Sequence, residues 1–443
     1  MISTKFTFPP VRDGKRRAVT IILLCVLLAA ILGGCSLLRL VYEPRNTSKA
    51  TETELPQLTE TEPAESAQIT ATNKPTAKTS APAPTARPAL APSNTAAFED
   101  RISAIILTGL QDFAKEIKLD AALAEVRIPA SMADATIERI FDLYQTIYFS
   151  HPEFYFLSGQ AHSSYTLQHG AESTLEALTL KPGFIDSAAD KTSAEIAQRQ
   201  RQLLSKATEI AKAAKAKSNK PELQLLAIHD ALVRLISYDE TAASIPELNR
   251  ERSHAASALL DGLALCQGYA ASFQLVAQQL GFEVLMPTGT AGGVNHAWNL
   301  VRLGDSYYHI DLTYDDPTPD GGPDAPVEHV HFLRSDAQMR RTHIWNAADF
   351  PAAPADSAAY YHLNNLVVNN NNELTQSLDK LAEDLPQPVK KPIMLELLYT
   401  GEPPDFSTVE GMLEDALALN WYDGGINYRG RVDKDIILLE IVP

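Results

Sequence analysis

The chain has 443 residues, 45% of them hydrophobic, and a formal net charge of −17. Residues 1–45 carry a net +5, which leaves −22 on the remainder. So acidic a body repels phosphate backbones and excludes nucleic acid as a partner, while the apolar content suffices for cores in two or three domains after the leader.

Residues 1–17 form a basic segment ending in Lys15-Arg16-Arg17, followed by an apolar run from Ala18. Two readings of that run stand. Gly33-Gly34-Cys35 after Leu32 resembles a bacterial lipobox, with Cys35 as the lipidation candidate. Alternatively the run extends through Leu38, about the length that spans a bilayer core of roughly 30 Å, and is an uncleaved anchor with Cys35 as an apolar residue. Either reading places the basic flank in the cytoplasm and the body outside, at the cell membrane. Cys25 lies within the run and is expected to be inert.

Residues 39–97 are rich in Thr, Pro and Ala, and Pro75, Pro82, Pro84, Pro88 and Pro92 keep the chain extended. Such a stretch buries too little apolar surface to offset its ordering entropy and reads as a disordered stalk. Folded sequence is expected from Phe98. Ile102, Ile105, Ile106, Leu110 and Phe113 recur at helical spacing, as do Ile137, Ile140, Phe141 and Tyr144. Tyr165 to Gln168 and Leu175 to Phe184 alternate like strands, and Thr192 with Glu195 fits a capping box opening a helix to about Lys217. Residues 98–218 thus read as a mostly helical region with a small β element.

Residues 219–350 carry the candidate chemistry. Leu225, Ile228, Leu232, Leu235 and Ile236 predict a helix leading to Tyr238-Asp239. A polar loop follows, then a short helix or turn at Ser253 to Leu260. Cys266 opens a pattern of Tyr269, Ala270, Phe273, Val276, Ala277 and Leu280, which Gly281 ends as a C-terminal cap. Cys266 therefore sits in the first turn of a buried helix, where unpaired N–H groups and the helix dipole favour a negatively charged sulfur and serve an oxyanion. Gly268 leaves space for a substrate or a neighbouring strand.

His296 to Val301 and Ser306 to Thr313 alternate on either side of Gly304-Asp305, which predicts a β-hairpin. A two- or four-residue loop sets Trp298 opposite Asp311. His296 then shares that face two residues away, a diagonal neighbour of the carboxylate at roughly 7–8 Å. A thiol, an imidazole and a carboxylate are the parts of an activated sulfur nucleophile. Trp298 is expected in the core. Glu328-His329-Val330-His331 puts two histidines on one strand face, a possible metal pair but more simply hairpin or surface residues. Asp315-Asp316-Pro317 reads as a turn after the Asp311 strand that could also bind a cation, Asn369 to Asn372 as a helix entry, and His254 as a residue that could line the cleft.

Residues 351–443 predict a helix from Glu373 to Leu385, a strand from Ile393 to Tyr399, a helix from Thr408 to Leu419 and strands at Ile426 to Tyr428 and Ile436 to Val442. This is a small α+β segment.

Cys266-Gln267-Gly268-Tyr269-Ala270, Gly289, His296-Ala297-Trp298-Asn299, Tyr308 and Asp311-Leu312-Thr313-Tyr314-Asp315-Asp316 resemble the transglutaminase-like superfamily in its bacterial extracytoplasmic branch. Ile228-His229-Asp230 and Tyr238-Asp239 are similar to the helix that precedes its core. The resemblance covers about residues 220–335. It implies an α+β, papain-like core, a Cys-bearing helix packed on an antiparallel sheet that carries His and Asp. Cys266 would be the nucleophile, His296 the general base and Asp311 the orienting residue, with no cofactor and no metal. Members of the superfamily cross-link glutamine to lysine, cleave peptides or amides, or have no known turnover. The expected activity is acyl transfer or hydrolysis on carboxamide or peptide bonds of surface proteins or the cell wall. A cysteine peptidase and a catalytically silent protein-binding module are the alternatives. Asp311→Asn is expected to cut turnover with little change in thermal stability.

Overall fold

The computed structural model describes residues 95–168, 173–316, 326–420 and 426–443. Cys25, Cys35, the run from Ala18 to Leu38 and nearly all of the Thr/Pro/Ala-rich stretch lie outside them. Among the described residues no helix is long and apolar enough to cross a membrane.

The first helix, α1 (Thr95–Gln111), begins three residues before Phe98, and α2 (Ala133–Ser150) lies against it. The hairpin of β1 (Leu157–Gln168) and β2 (Thr174–Phe184) is longer than the alternation suggested, because β1 already starts beside the aromatic cluster at Phe154 to Phe156. Helix α3 (Ser193–Lys217) opens on the expected capping box. Thr192 Oγ1 accepts from the Glu195 amide at 3.3 Å, and Glu195 Oε2 accepts from the Thr192 amide at 2.8 Å.

Helix α4 (Pro221–Val233) starts with proline in its first turn, where the missing N–H costs nothing. The supposed polar loop holds a further helix, α5 (Pro246–Arg252), also begun by proline. Helix α6 (Cys266–Gln278) starts at the cysteine itself, and every residue from Gly268 to Ala277 is buried. Gly281, at φ +85°, turns the chain where the sequence placed a cap.

The strand expected from His296 to Val301 is two strands. They are β4 (Val294–Ala297) and β5 (Asn299–Leu303), interrupted at Trp298. β4 pairs with β3 (Thr288–Ala291) around Gly292-Gly293, whose φ values of +57° and +82° suit a tight hairpin. β5 pairs with β6 (Ser306–Ile310) through the two-residue loop Gly304-Asp305, in the predicted register: Tyr308 opposite Val301, Ile310 opposite Asn299. Beyond β6 lies β7 (Phe332–Arg334), and beyond β3 lies β8 (His343–Ile344), so His296 and the chain leading to Asp311 belong to adjoining antiparallel sheets. The interruption lets Trp298 turn inward; it is 1% exposed and clusters with Met339 and Trp345.

One continuous apolar core runs from Phe98 to Ala358, so the helical region and the cysteine-bearing region share it. Three side chains of the α6 segment also reach the end of α2. Gln267 Nε2 donates to Tyr148 Oη (3.3 Å), Gln274 Nε2 to the Phe149 carbonyl (3.0 Å) and Gln278 Nε2 to the Ser150 carbonyl (3.2 Å).

The C-terminal segment follows the predicted order: α7 (Asn371–Asp384), β9 (Ile393–Tyr399), α8 (Phe406–Leu419), β10 (Asn427–Asp433) and β11 (Ile436–Val442). Asn370 caps α7 by accepting from the Glu373 amide at 3.0 Å. The helices cover one sheet face around a separate core containing Leu374, Leu378, Leu413 and Leu439. A smaller cluster of Val330, Tyr361, Leu398, Ile436 and Leu438 joins the sheet to the rest, beside a two-pronged ion pair from Arg431 to Glu328.

Candidate active site

Cys266 is the first residue of α6 and is partly exposed, free of any disulfide. Its turn is held from behind. The Leu265 amide donates to the Arg252 carbonyl at 2.9 Å, and a Cβ on Gly268 would lie 2.4 Å from that same oxygen. The space at Gly268 is thus taken by the Arg252 backbone and by Ala264 of the short strand Leu263–Ala264.

His296, on β4, is hydrogen bonded to Cys266 on one side. Its Nε2 meets Asp311 Oδ2 at 2.7 Å, so Nδ1 is the nitrogen left for the thiol. The structure therefore brings the three sequence-predicted residues together. Asp311 is 1% exposed and receives more than one ring. Its Oδ2 also meets His343 Nε2 at 2.8 Å, and its Oδ1 accepts from the amides of Thr313 (3.0 Å) and Tyr314 (3.4 Å).

The charge states follow from these contacts. Burial alone would push His296 down, but the Asp311 charge and hydrogen bond, with the Cys266 contact, lift it to about 10. Burial opposes ionisation of Asp311 too, yet the two imidazoles hold its carboxyl far below the usual range. His343 is pushed down by burial in spite of the same carboxylate. A neutral His343 that donates Nε2–H to Asp311 has Nδ1 free to accept from the Thr342 hydroxyl, 2.8 Å away. The site thus holds one carboxylate between a cationic and a neutral imidazole.

Aromatic rings wall the group. Trp298 lies parallel to the His296 ring, centroids 6.0 Å apart at 17°, and Tyr314 meets it edge-on at 5.1 Å. Trp298 Nε1 donates to His309 Nδ1 at 3.0 Å, and His309 Nε2 is held by Asp336 at 2.8 Å. Burial chiefly, with a contribution from Cys266, raises the hydroxyls of Tyr238 and Tyr314. Tyr148, from the helical N-terminal region, accepts from Gln267, the residue after Cys266.

One expectation requires correction. Glu328 to His331 is not a strand face, and both histidines are buried, at 6% and 8% exposure. His329 meets Glu396 and Asp230, and His331 meets Asp315. Asp315 lies in the expected turn, wholly buried there, and also meets His229 at 3.1 Å. His254 is buried edge-on to Tyr148, and burial pushes it down to about 4. His343 and Thr342 were not singled out in the sequence. The one local signal is the His343-Ile344-Trp345 run within residues 219–350, and nothing in it points back to Asp311.

A cysteine at the start of a buried helix, with a histidine and an aspartate delivered by antiparallel strands, defines the class of papain-like cysteine-dependent hydrolases and acyltransferases. A family model described as the transglutaminase-like superfamily matches residues 208–312, about a quarter of the chain. The matched segment contains Cys266, His296 and Asp311 and ends before His329, His331 and His343. No curated protein matches the chain. Among solved structures, one described as a TGase is 15% identical over 34% of this chain, with a TM-score of 0.24; the chain spans 45% of its length. Another, described as a candidate cysteine protease from Cytophaga hutchinsonii, is 14% identical over 43% of this chain and 70% of its own, with a TM-score of 0.23.

Proposed function

We propose that this chain is a membrane-tethered, extracytoplasmic enzyme that transfers or hydrolyses acyl groups of carboxamide or peptide bonds through Cys266, His296 and Asp311. The observation that carries the reading is the linked set of contacts from the Cys266 thiol through His296 to Asp311 Oδ2. An imidazole lifted to about 10 keeps its proton at neutral pH, so an imidazolium faces the sulfur and favours the thiolate form in which a cysteine attacks. The sulfur attacks the carbonyl carbon, and the first-turn amides of α6 face the developing oxyanion. His296 then gives its proton to the leaving ammonia or amine as the C–N bond breaks and a thioester remains. In the second half, His296 takes a proton from the attacking water or amine, and the C–S bond breaks to restore the pair.

The tether rests on Lys15-Arg16-Arg17, the apolar run after it and the Thr/Pro/Ala-rich stretch. Surface proteins or cell-wall peptides are the substrates such a location supplies. The test is a substrate screen with the full-length chain and its Cys266→Ala variant. Ammonia release from a glutamine donor identifies the acyltransferase, and new peptide termini identify the peptidase. No turnover and no thioester trapped at Cys266 would leave the protein-binding module and overturn the proposal. Loss of palmitate labelling in Cys35→Ala would make the tether a lipid, and retained membrane binding without labelling an anchor.

A further inference from the structure

We propose that His229, Asp230 and His329 form a divalent-metal site of the zinc class, at the seam between the transglutaminase-like core and the C-terminal sheet. His229 and Asp230 come from the end of α4, and His329 from the segment before β7. His229 Nδ1 and His329 Nε2 approach the same Asp230 Oδ1, at 3.1 and 3.0 Å, and one donor atom from each residue lies within 4.8 Å of the others. A tetrahedral ion with bonds of about 2.0–2.1 Å holds neighbouring donors about 3.3 Å apart, so these three need only small movements to close on it.

The outer shell is already built. His229 Nε2, the nitrogen facing away from Asp230, is held by Asp315 Oδ2 at 3.1 Å, and His329 Nδ1 by Glu396 Oε1 at 2.8 Å. Asp315 and Glu396 are 0% and 3% exposed. They are fixed in turn: Asp315 accepts from the His331 amide (2.9 Å) and Glu396 from the Tyr361 hydroxyl (3.2 Å). Tyr360 stacks on His329 at 3.8 Å and 6°, which locks the ring plane. A metal-binding histidine typically donates its far N–H to a carboxylate, which turns the near nitrogen into a lone-pair donor.

Charge balance points the same way. All four ring nitrogens face carboxyl oxygens, so with Asp230, Asp315 and Glu396 ionised, protons alone satisfy them only if both rings are cations. Those rings would lie 5.3 Å apart, buried, where like charges repel with little screening. One divalent ion among the near donors supplies the same two charges and leaves both rings neutral. Two imidazoles and a carboxylate suit zinc and its first-row neighbours. The Asp230 side chain is 30% exposed, which opens a path for the ion and for a water in the fourth position.

His296, Asp311 and His343 also bring donors together, but their side chains are 4%, 1% and 0% exposed. Their remaining ring nitrogens go to Cys266 and Thr342, not to carboxylates.

The test uses the full-length chain, stripped with a chelator, reloaded with Zn²⁺ and measured for bound metal by elemental analysis. One equivalent is expected in the wild type and in His343→Gln, and none in Asp230→Asn or His329→Gln. Glu396→Gln keeps the three ligands and should bind roughly 10- to 100-fold more weakly. Co²⁺ titrated into the stripped wild type should develop the intense visible absorption of a tetrahedral site, a readout that needs no variant to fold. Folded wild type that retains no Zn²⁺ and gives no Co²⁺ band would overturn the proposal. So would an equivalent that survives in Asp230→Asn and His329→Gln, or one lost in His343→Gln and kept at full affinity in Glu396→Gln.

Discussion

At the residue scale, Asp311 carries more than the orientation of one ring. Two imidazoles share its Oδ2 and two amides share its Oδ1. Asparagine would set an N–H₂ or a neutral oxygen where a charge now faces His296 and His343. The geometry therefore changes the expectation for Asp311→Asn. Turnover should fall by roughly 10⁴, as when a triad carboxylate is neutralised elsewhere. Stability should fall as well, by about 3–5 kcal/mol, because a buried partner of a cationic ring is lost. Single-turnover kinetics and a melting curve on the same sample check both. A variant with wild-type melting and full activity would remove Asp311 from the site.

Two histidines give opposite pH limbs. His296 is lifted to about 10 from 6.5, so its contribution is full below pH 6.5 and is lost as pH rises through 10. His254 is lowered to about 4, so its contribution is full above pH 6.5 and is lost as pH falls through 4. Each limb has a slope of at most about 1.4 kcal/mol per pH unit. Melting temperature followed from pH 4 to 10 should fall at both ends. His254→Phe keeps an aromatic ring against Tyr148 and should flatten only the acid limb; an unchanged acid limb would show that other groups produce it.

At the scale of elements, the nucleophile helix is placed by what lies behind its first turn. Gly268→Ala would drive a methyl group into the Arg252 carbonyl, 2.4 Å away, and towards Ala264 at 2.8 Å. Backbone cannot yield as a long side chain does, so the cost is about 1–3 kcal/mol and Cys266 shifts relative to His296. We expect a lower melting temperature and slower alkylation of Cys266 by iodoacetamide. Wild-type alkylation would show that the turn relaxes without moving the sulfur. The Thr192–Glu195 capping box and the two-residue Gly304-Asp305 loop were legible because each is decided by a few neighbouring residues. The break at Trp298 was not, since alternation continues through it and only the apolar company of Met339 and Trp345 draws the indole out of register.

At the scale of the molecule, the C-terminal sheet is more than an appendage. Leu398, Ile436 and Leu438 share a cluster with Val330 and Tyr361, Arg431 clasps Glu328, and Glu396 holds His329. Truncation before Leu366 would expose that cluster and leave His329 without its carboxylate. The shortened chain should melt at lower temperature and be cut by protease between β6 and β7 sooner than the full chain. Equal melting and equal resistance would make the seam energetically idle.

The sequence by itself determined the main helices, the register of the Gly304-Asp305 hairpin and the grouping of Cys266, His296 and Asp311. Periodicity, caps and turn residues act within a few positions, and a two-residue loop carries its register onward to Asp311. Only the tertiary structure decided that His343 shares Asp311, that Tyr148 of the helical region holds Gln267, and that His229, Asp230, Asp315, His329 and Glu396 meet. Those partners lie between 32 and 119 residues apart where their contacts join distant segments. No local pattern encodes such a meeting; it is settled by which faces bury together, and by the need of each buried charge for a partner once water is excluded.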